Sequence, residues 1–139
     1  LMDIAPTLIE LAGAEPPAKT SGRSLVPFLV GDTPDDWRDS IYAQCNGTEL
    51  YYTSRMVKTK QYKFVYNPTD FDELYDLEAD PHEMRNIADR PESKAIVKMM
   101  YGRMWEHAFA SEDTNMVTYI PVTTGDYGPA IVNEERMMR

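Results

Sequence analysis

The chain is poor in the groups that mark most chemistry. It has one cysteine, Cys45, so no internal disulfide is possible. It has two histidines, His82 and His107, neither near the thiol in sequence. The burial habits of free cysteine predict a small buried hydrophobe at position 45 rather than a nucleophile. Basic residues are also scarce, 14 Lys and Arg against 23 Asp and Glu, for a net charge of −9. Nucleic acid and anionic membrane surfaces need clustered cations and are excluded as partners on that ground. A sulfated small molecule is not, because one local basic pocket can outweigh the overall sign. No apolar run approaches the roughly 18 residues of a membrane span. The first residues show neither a basic nor an apolar leader region, and the chain opens inside a helical pattern. That opening is expected of a piece of a longer protein. Asn46-Gly47-Thr48 fits a glycosylation sequon, a short pattern common by chance, and the compartment stays open.

What is present reads as an α+β chain. Asp3 is placed to cap a helix with Pro6 in its first turn and an apolar face of Leu8, Ile9, Leu11 and Ala12. Gly13 ends it, and Glu15-Pro16-Pro17 forbids continuation. Ser24 starts a short turn with Leu25, Phe28 and Leu29 expected in the core, and Trp37 is expected to pack its ring on the fold. Strands are predicted over 40–45, 50–58, 62–66 and 73–77, close enough in sequence for an antiparallel meander. Tyr62, Phe64 and Tyr66 share one face of the third strand, Lys63 and Val65 the other.

Asp80-Pro81-His82-Glu83 has the pattern of a capping box and predicts a helical turn to about Ala88. A longer helix after Asp89-Arg90-Pro91-Glu92 buries Val97, Met100, Tyr101, Met104, Trp105 and Ala108 at helical spacing. Beyond Ser111 the pattern weakens: an extended segment is expected over 116–122, turn chemistry at 125–129 and a frayed charged end at 133–139.

Four ordered motifs then carry a family resemblance. Asp3 to Gly13 is similar to a D-x-x-P-T-x-x-x-x-x-G helix of sulfatases. Gly22-Arg23-Ser24-Leu25 with Pro27, Lys58-Thr59 with Tyr62-Lys63, and Leu74-Tyr75-Asp76-Leu77 with Asp80-Pro81, Glu83 and Asn86 resemble three further motifs of that family. They cover about two-thirds of the chain, from Leu1 to Pro91. The resemblance implies the C-terminal subdomain of a formylglycine-dependent sulfatase of the alkaline phosphatase-like superfamily. It implies a four-stranded antiparallel sheet packed by a C-terminal helix, preceded by a helix belonging to the larger α/β domain. Residues 1–31 would end the large domain, 32–110 form the antiparallel-sheet subdomain, and 111–139 be an extended tail.

In the intact enzyme the resemblance implies sulfate-ester hydrolysis with formylglycine and calcium. Both lie in the larger domain of the family. Cys45 is followed by Asn46-Gly47-Thr48-Glu49 and does not match the C-x-[PS]-x-R nucleophile motif, and Asp35-Asp36 sits in a turn-rich loop unlike the family's metal site. No catalytic or metal residue is therefore assigned, and the fragment alone is expected to be inactive.

The acidic side chains of the 74–87 stretch are expected to be structural. Arg55, Lys58, Lys60 and Lys63 are read mainly as a solvated face of the sheet. The loop from Asn46 to Tyr52 is the candidate pocket wall, with Asn46, Tyr51 and Arg55 as substrate-binding residues. The expected partners are the large catalytic domain and a sulfated small molecule or sugar. An apolar face of Leu8, Leu11, Leu25 and Phe28 predicts self-association of the isolated chain. A phosphonate monoester or phosphodiester hydrolase of the same superfamily, and a non-catalytic α+β interaction module, are the alternatives.

Overall fold

A computed structural model describes residues 1–47, 53–68, 70–118 and 126–132. The chain divides into two compact units, Leu1–Arg38 and Asp39–Arg139.

The first unit holds helix α1 (Ile4–Leu11) and one turn of helix, α2 (Val26–Leu29). Gly13 ends α1 in the left-handed region, φ +67°, where an L side chain is strained. Its amide donates to the Glu10 carbonyl and that of Ala14 to Ile9, so two otherwise orphaned carbonyls are satisfied. Asp3 does not cap the helix. Its Oδ1 instead accepts from the Arg23 amide at 2.9 Å and from Arg38 Nη2 at 2.5 Å, so a long-range tie replaces the local cap.

The buried hydroxyl of Thr7 donates to the Asp3 carbonyl at 2.6 Å and accepts the Leu25 amide at 2.9 Å, joining α1 to α2. A Cβ on Gly22 would sit 2.0 Å from the Met2 carbonyl oxygen, so only glycine fits there. The Trp37 ring lies edge-on to Phe28 and is flanked by the Arg23 and Arg38 guanidinium groups at 4.8 and 4.9 Å. Phe28 and Leu29 are not core residues, being 37 % and 67 % exposed. A four-residue helix is too short to cover its own apolar side.

The second unit is a meander of β1 (Ser40–Asn46), β2 (Thr53–Thr59), β3 (Tyr62–Tyr66) and β4 (Glu73–Asp76), antiparallel throughout and in that spatial order. The register aligns Tyr42, Val57, Phe64 and Leu74 in one row across the sheet. Against this row packs α3 (Lys94–Ala110), after a 3₁₀ turn at Pro91–Ser93. The helix buries Val97, Met100, Tyr101, Met104, Trp105 and Ala108, the stripe its spacing predicts. Tyr101 stands among Phe64, Tyr66 and Tyr127 in tilted and edge-on contacts that anchor the interface.

Three local expectations fail for identifiable reasons. The 80–88 stretch is not helical. Asp80 accepts the Arg85 amide, Glu83 takes a left-handed backbone (φ 54°) with its carboxylate on Lys63, and the Ile87 amide donates to the Leu74 carbonyl on β4. Bonds to the sheet outweigh a local cap. Within 116–122, the described part opens in a short helix, α4 (Thr114–Thr118), with Met116 buried; residues 119–125 and 133–139 lie outside the described residues. Cys45 is exposed, because it alternates onto the outer side of the edge strand β1.

Candidate functional site

The β1–β2 hairpin carries the candidate site, and its chemistry follows from strand parity. Thr53, Arg55 and Val57 all alternate onto the core face of β2. Position 55 is therefore inward, beside Tyr66 on β3 and Gln44 on β1. Arg55 is 0 % exposed, and a guanidinium so placed must find partners for every donor.

Nε and Nη2 grip Asp113 side-on, at 2.5 Å to Oδ2 and 3.0 Å to Oδ1. Nη1 is shared among Thr53 Oγ1 at 2.6 Å, the Ser54 carbonyl at 2.7 Å and Asn46 Oδ1 at 3.0 Å. Asn46 also accepts from Thr53 Oγ1 at 2.8 Å. Asn46 and Thr53 are paired across the hairpin, so one guanidinium nitrogen holds both ends of the loop between them.

Asp113 is brought into place by the end of α3. Glu112 adopts a left-handed backbone (φ 53°), and the Asp113 amide donates back to Ala108. This reversal aims the carboxylate at the sheet, where it also accepts the Tyr42 hydroxyl at 2.8 Å. Burial alone would raise the Asp113 carboxyl, but the hydrogen bonds from Arg55 and Tyr42 and the Arg55 charge hold it below the usual range. Burial likewise works against the Arg55 charge, and Asp113 more than offsets it. Tyr42 is pushed well above the usual phenol value by burial and by the carboxylate it serves.

A second polar chain closes the same sheet on α3. The His107 ring stacks on Tyr42, with centroids 5.5 Å apart and planes 9° from parallel. His107 Nε2 lies 3.0 Å from Ser40 Oγ, and that hydroxyl donates to Asp39 at 3.1 Å. Ser40 is 8 % exposed, and its hydroxyl is already engaged by both Asp39 and His107. The pair is read as a structural relay rather than a nucleophile and base.

Of the three sequence-derived site residues, the structure joins Asn46 and Arg55 and leaves Asn46 exposed at the hairpin end. Tyr51 lies outside the described residues. The buried Arg55 guanidinium faces Asp113, not solvent. Asp113 was missed, as a residue remote in sequence; the one signal for its need was the shared parity of Arg55 and Val57. Lys63 pairs with Glu83 and lies over the Tyr75 ring at 5.7 Å. Glu73 accepts the Tyr75 hydroxyl, which raises that phenol to about 12.

The acidic stretch 74–87 builds turns. Asp76 accepts the Glu78 and Ala79 amides, and Asn86 bonds the backbone of Asp72, Leu74 and Ala88. Among the described residues, no three His, Cys, Asp or Glu side chains converge as a cation site needs. Asp36 is engaged by Arg23. Neither a calcium ion nor a formylglycine fits the described part of this chain, and no chemical step is routed through either.

The family model described as "N-sulphoglucosamine sulphohydrolase, C-terminal" matches residues 1–109. An N-acetylglucosamine-6-O-sulfatase of Bacteroides thetaiotaomicron is 37 % identical over a 98-residue alignment that covers 66 % of this chain and 18 % of that protein. The structure of a 2-O GAG sulfatase superposes with a TM-score of 0.76 at 27 % identity, covering 91 % of this chain and 29 % of that one. A structure solved in complex with its substrate, D-glucosamine-2-N,6-O-disulfate, gives 0.71 at 30 % identity, over 80 % and 24 %. The phosphonate monoester hydrolase of Agrobacterium radiobacter gives 0.65 at 26 %, over 78 % and 24 %. The chain spans between 18 % and 53 % of the length of the first curated relatives it matches. With its four-stranded antiparallel sheet, its packing helix and a family match over residues 1–109, the chain belongs to the sulfatase C-terminal domain family.

Proposed function

We propose that this chain is the closing subdomain of an enzyme that hydrolyses sulfate esters, and that its β1–β2 loop forms part of the substrate pocket wall. The family match over residues 1–109 carries the reading. In it, residues 1–31 end the large catalytic domain, 32–110 form the subdomain, and 111–139 follow as a tail. Formylglycine and calcium would belong to the large domain. Asn46 and Tyr51 would face the substrate from the loop, and Arg55 would act on it through Asn46. The substrate would be a sulfated sugar or another sulfated small molecule.

The apolar surface of the first unit supports the docking part. Of the expected apolar face, Leu8 and Leu11 are each 60 % exposed and Phe28 37 %, Leu25 is half-buried, and Leu29 adds a further side chain at 67 %. Leaving such side chains in water forgoes about 25 cal/mol per Å² of burial, so a covering partner is favoured. The large domain is that partner in this reading.

The likeness to a phosphonate monoester hydrolase favours one competing reading, the same subdomain serving that chemistry. The test is turnover by the full-length parent of glucosamine-6-sulfate, 4-nitrophenyl sulfate and a phenyl phosphonate monoester. Faster release of sulfate is expected. A parent that cleaves the phosphonate ester and neither sulfate ester would refute the sulfatase reading. The 139 residues alone should release no sulfate.

A further inference from the structure

We propose that Asn46–Gly47 is a self-modification site, where the Asn46 side chain cyclises onto the following backbone nitrogen and opens to aspartate or isoaspartate, with Thr53 and Arg55 as catalytic residues. Asn46 is the only asparagine of the chain followed by glycine; the others precede Pro68, Ile87, Met116 and Glu134. With no Cβ on residue 47, its nitrogen approaches the neighbouring side chain without a clash. Gly47 is exposed and lies beyond the last pair of the β1–β2 ladder, Asn46 with Thr53.

The Asn46 amide is held for attack at its carbonyl. Oδ1 accepts from Thr53 Oγ1 at 2.8 Å and from Arg55 Nη1 at 3.0 Å, and Nδ2 makes no hydrogen bond among the described residues. The Gly47 nitrogen gives its proton to a solvent base and bonds to Asn46 Cγ, and the carbonyl π pair moves onto Oδ1. The charge formed there faces a hydroxyl and a guanidinium that is always cationic and is anchored in the core at 0 % exposure. Collapse expels Nδ2 as ammonia, with a proton from water, and leaves a five-membered imide. Water then opens either imide carbonyl, one route giving aspartate and the other isoaspartate. The pairing of Asn46 with Thr53 opposes the rotation that brings the nitrogen to Cγ, but it is the terminal pair of its ladder, where opening costs least. The product carboxylate stays within reach of Arg55, which then serves two acids, Asp113 and residue 46.

Two other asparagines serve as internal references. Both amide atoms of Asn86 are bonded, to Leu74, Ala88 and Asp72, and the Ile87 amide is spent on the Leu74 carbonyl. Asn67 precedes Pro68, whose nitrogen has no hydrogen to lose. The full 139-residue chain is incubated in warm, near-neutral buffer, cut briefly with trypsin at mildly acidic pH and mapped by mass, with isoaspartate counted by a protein isoaspartate methyltransferase. The tryptic peptide 39–55 holds one asparagine, so its amide-to-acid mass gain reports position 46 alone.

Conversion at Asn46 should run at least about ten-fold faster than at Asn86, yield both isomers, and leave Asn67 unchanged. A rate at Asn46 no higher than at Asn86 overturns the proposal. Gly47→Val, which crowds the attacking nitrogen, should slow conversion by about ten-fold or more, and an unchanged rate in it overturns the cyclisation route. Thr53→Val removes one donor from Oδ1 and should slow conversion about five-fold, the equivalent of one ordinary hydrogen bond, while Thr53→Ser keeps the hydroxyl and restores the parent rate. Unchanged or faster conversion in Thr53→Val overturns the catalytic role of the Oδ1 donors.

Discussion

Asn86 Oδ1 accepts the amide hydrogen of Leu74 at 3.0 Å, the Asn86 Nδ2 donates to the Asp72 carbonyl at 2.9 Å, and the Ile87 amide closes on the Leu74 carbonyl at 2.9 Å. One side chain thereby pairs the outer edge of β4 with the segment that follows it. An exposed strand edge is a site of aggregation, and this contact covers it.

Asn86→Ala removes three hydrogen bonds, those to Leu74, Asp72 and Ala88. At about 1 kcal/mol each, the expected loss is roughly 2–3 kcal/mol in urea unfolding. Asn86→Asp keeps the acceptor and loses only the donor, so it should fall between the two. Equal stability of Asn86→Ala and the parent sequence would contradict the role.

His107 gives a pH dependence of known sign. Burial lowers its pKa, with Glu106 and Asp39 opposing and Arg103 assisting, so the folded state favours the neutral ring. Its contribution is complete above the unfolded value of about 6.5 and is lost as pH falls through the lower folded value. The urea midpoint should drop between about pH 7.5 and about pH 5.5, and His107→Gln should flatten that drop. An unchanged slope in the variant would exclude His107 as its source.

Gly22→Ala tests the first unit. The new Cβ would meet the Met2 carbonyl oxygen at 2.0 Å, a backbone atom that cannot rotate away. Overpacking of this kind costs about 1–3 kcal/mol. The Asp3 contacts to Arg23 and Arg38 should loosen, read as higher amide exchange at Arg23, while exchange in α3 stays as it was.

The exposed apolar residues of α1 should make the isolated chain self-associate. Leu8→Glu with Leu11→Glu places charge on both positions, each 60 % exposed. Sedimentation should show the parent sequence associating with concentration and the double variant monomeric. A parent sequence that stays monomeric at high concentration would remove the docking face from the argument.

Most of the fold was legible because its signals are periodic. Phe64 and Tyr66 alternate with Lys63 and Val65, and the Val97 to Ala108 stripe repeats at helical spacing. Each pattern states which face is apolar, and burial then follows. The misread stretch at 80–88 had a genuine local signal, the Asp80 and Glu83 spacing. It lost to Lys63 and Leu74, partners on other strands that no local pattern reveals.

For the candidate site, two of the residues named from the hairpin, Asn46 and Arg55, share a hydrogen bond. The sequence by itself determined the strand that carries Arg55 and the apolar stripe of the helix packed on that sheet, because these depend on neighbours within a few residues. The reading of Arg55 as part of a solvated face is overturned by its complete burial. Only the tertiary structure decided what meets the guanidinium. Asp113 lies 58 positions away and reaches it through a left-handed turn at Glu112 and the packing of α3 on the sheet. A buried charge demands a partner, but which carboxylate answers depends on how the chain folds back in space.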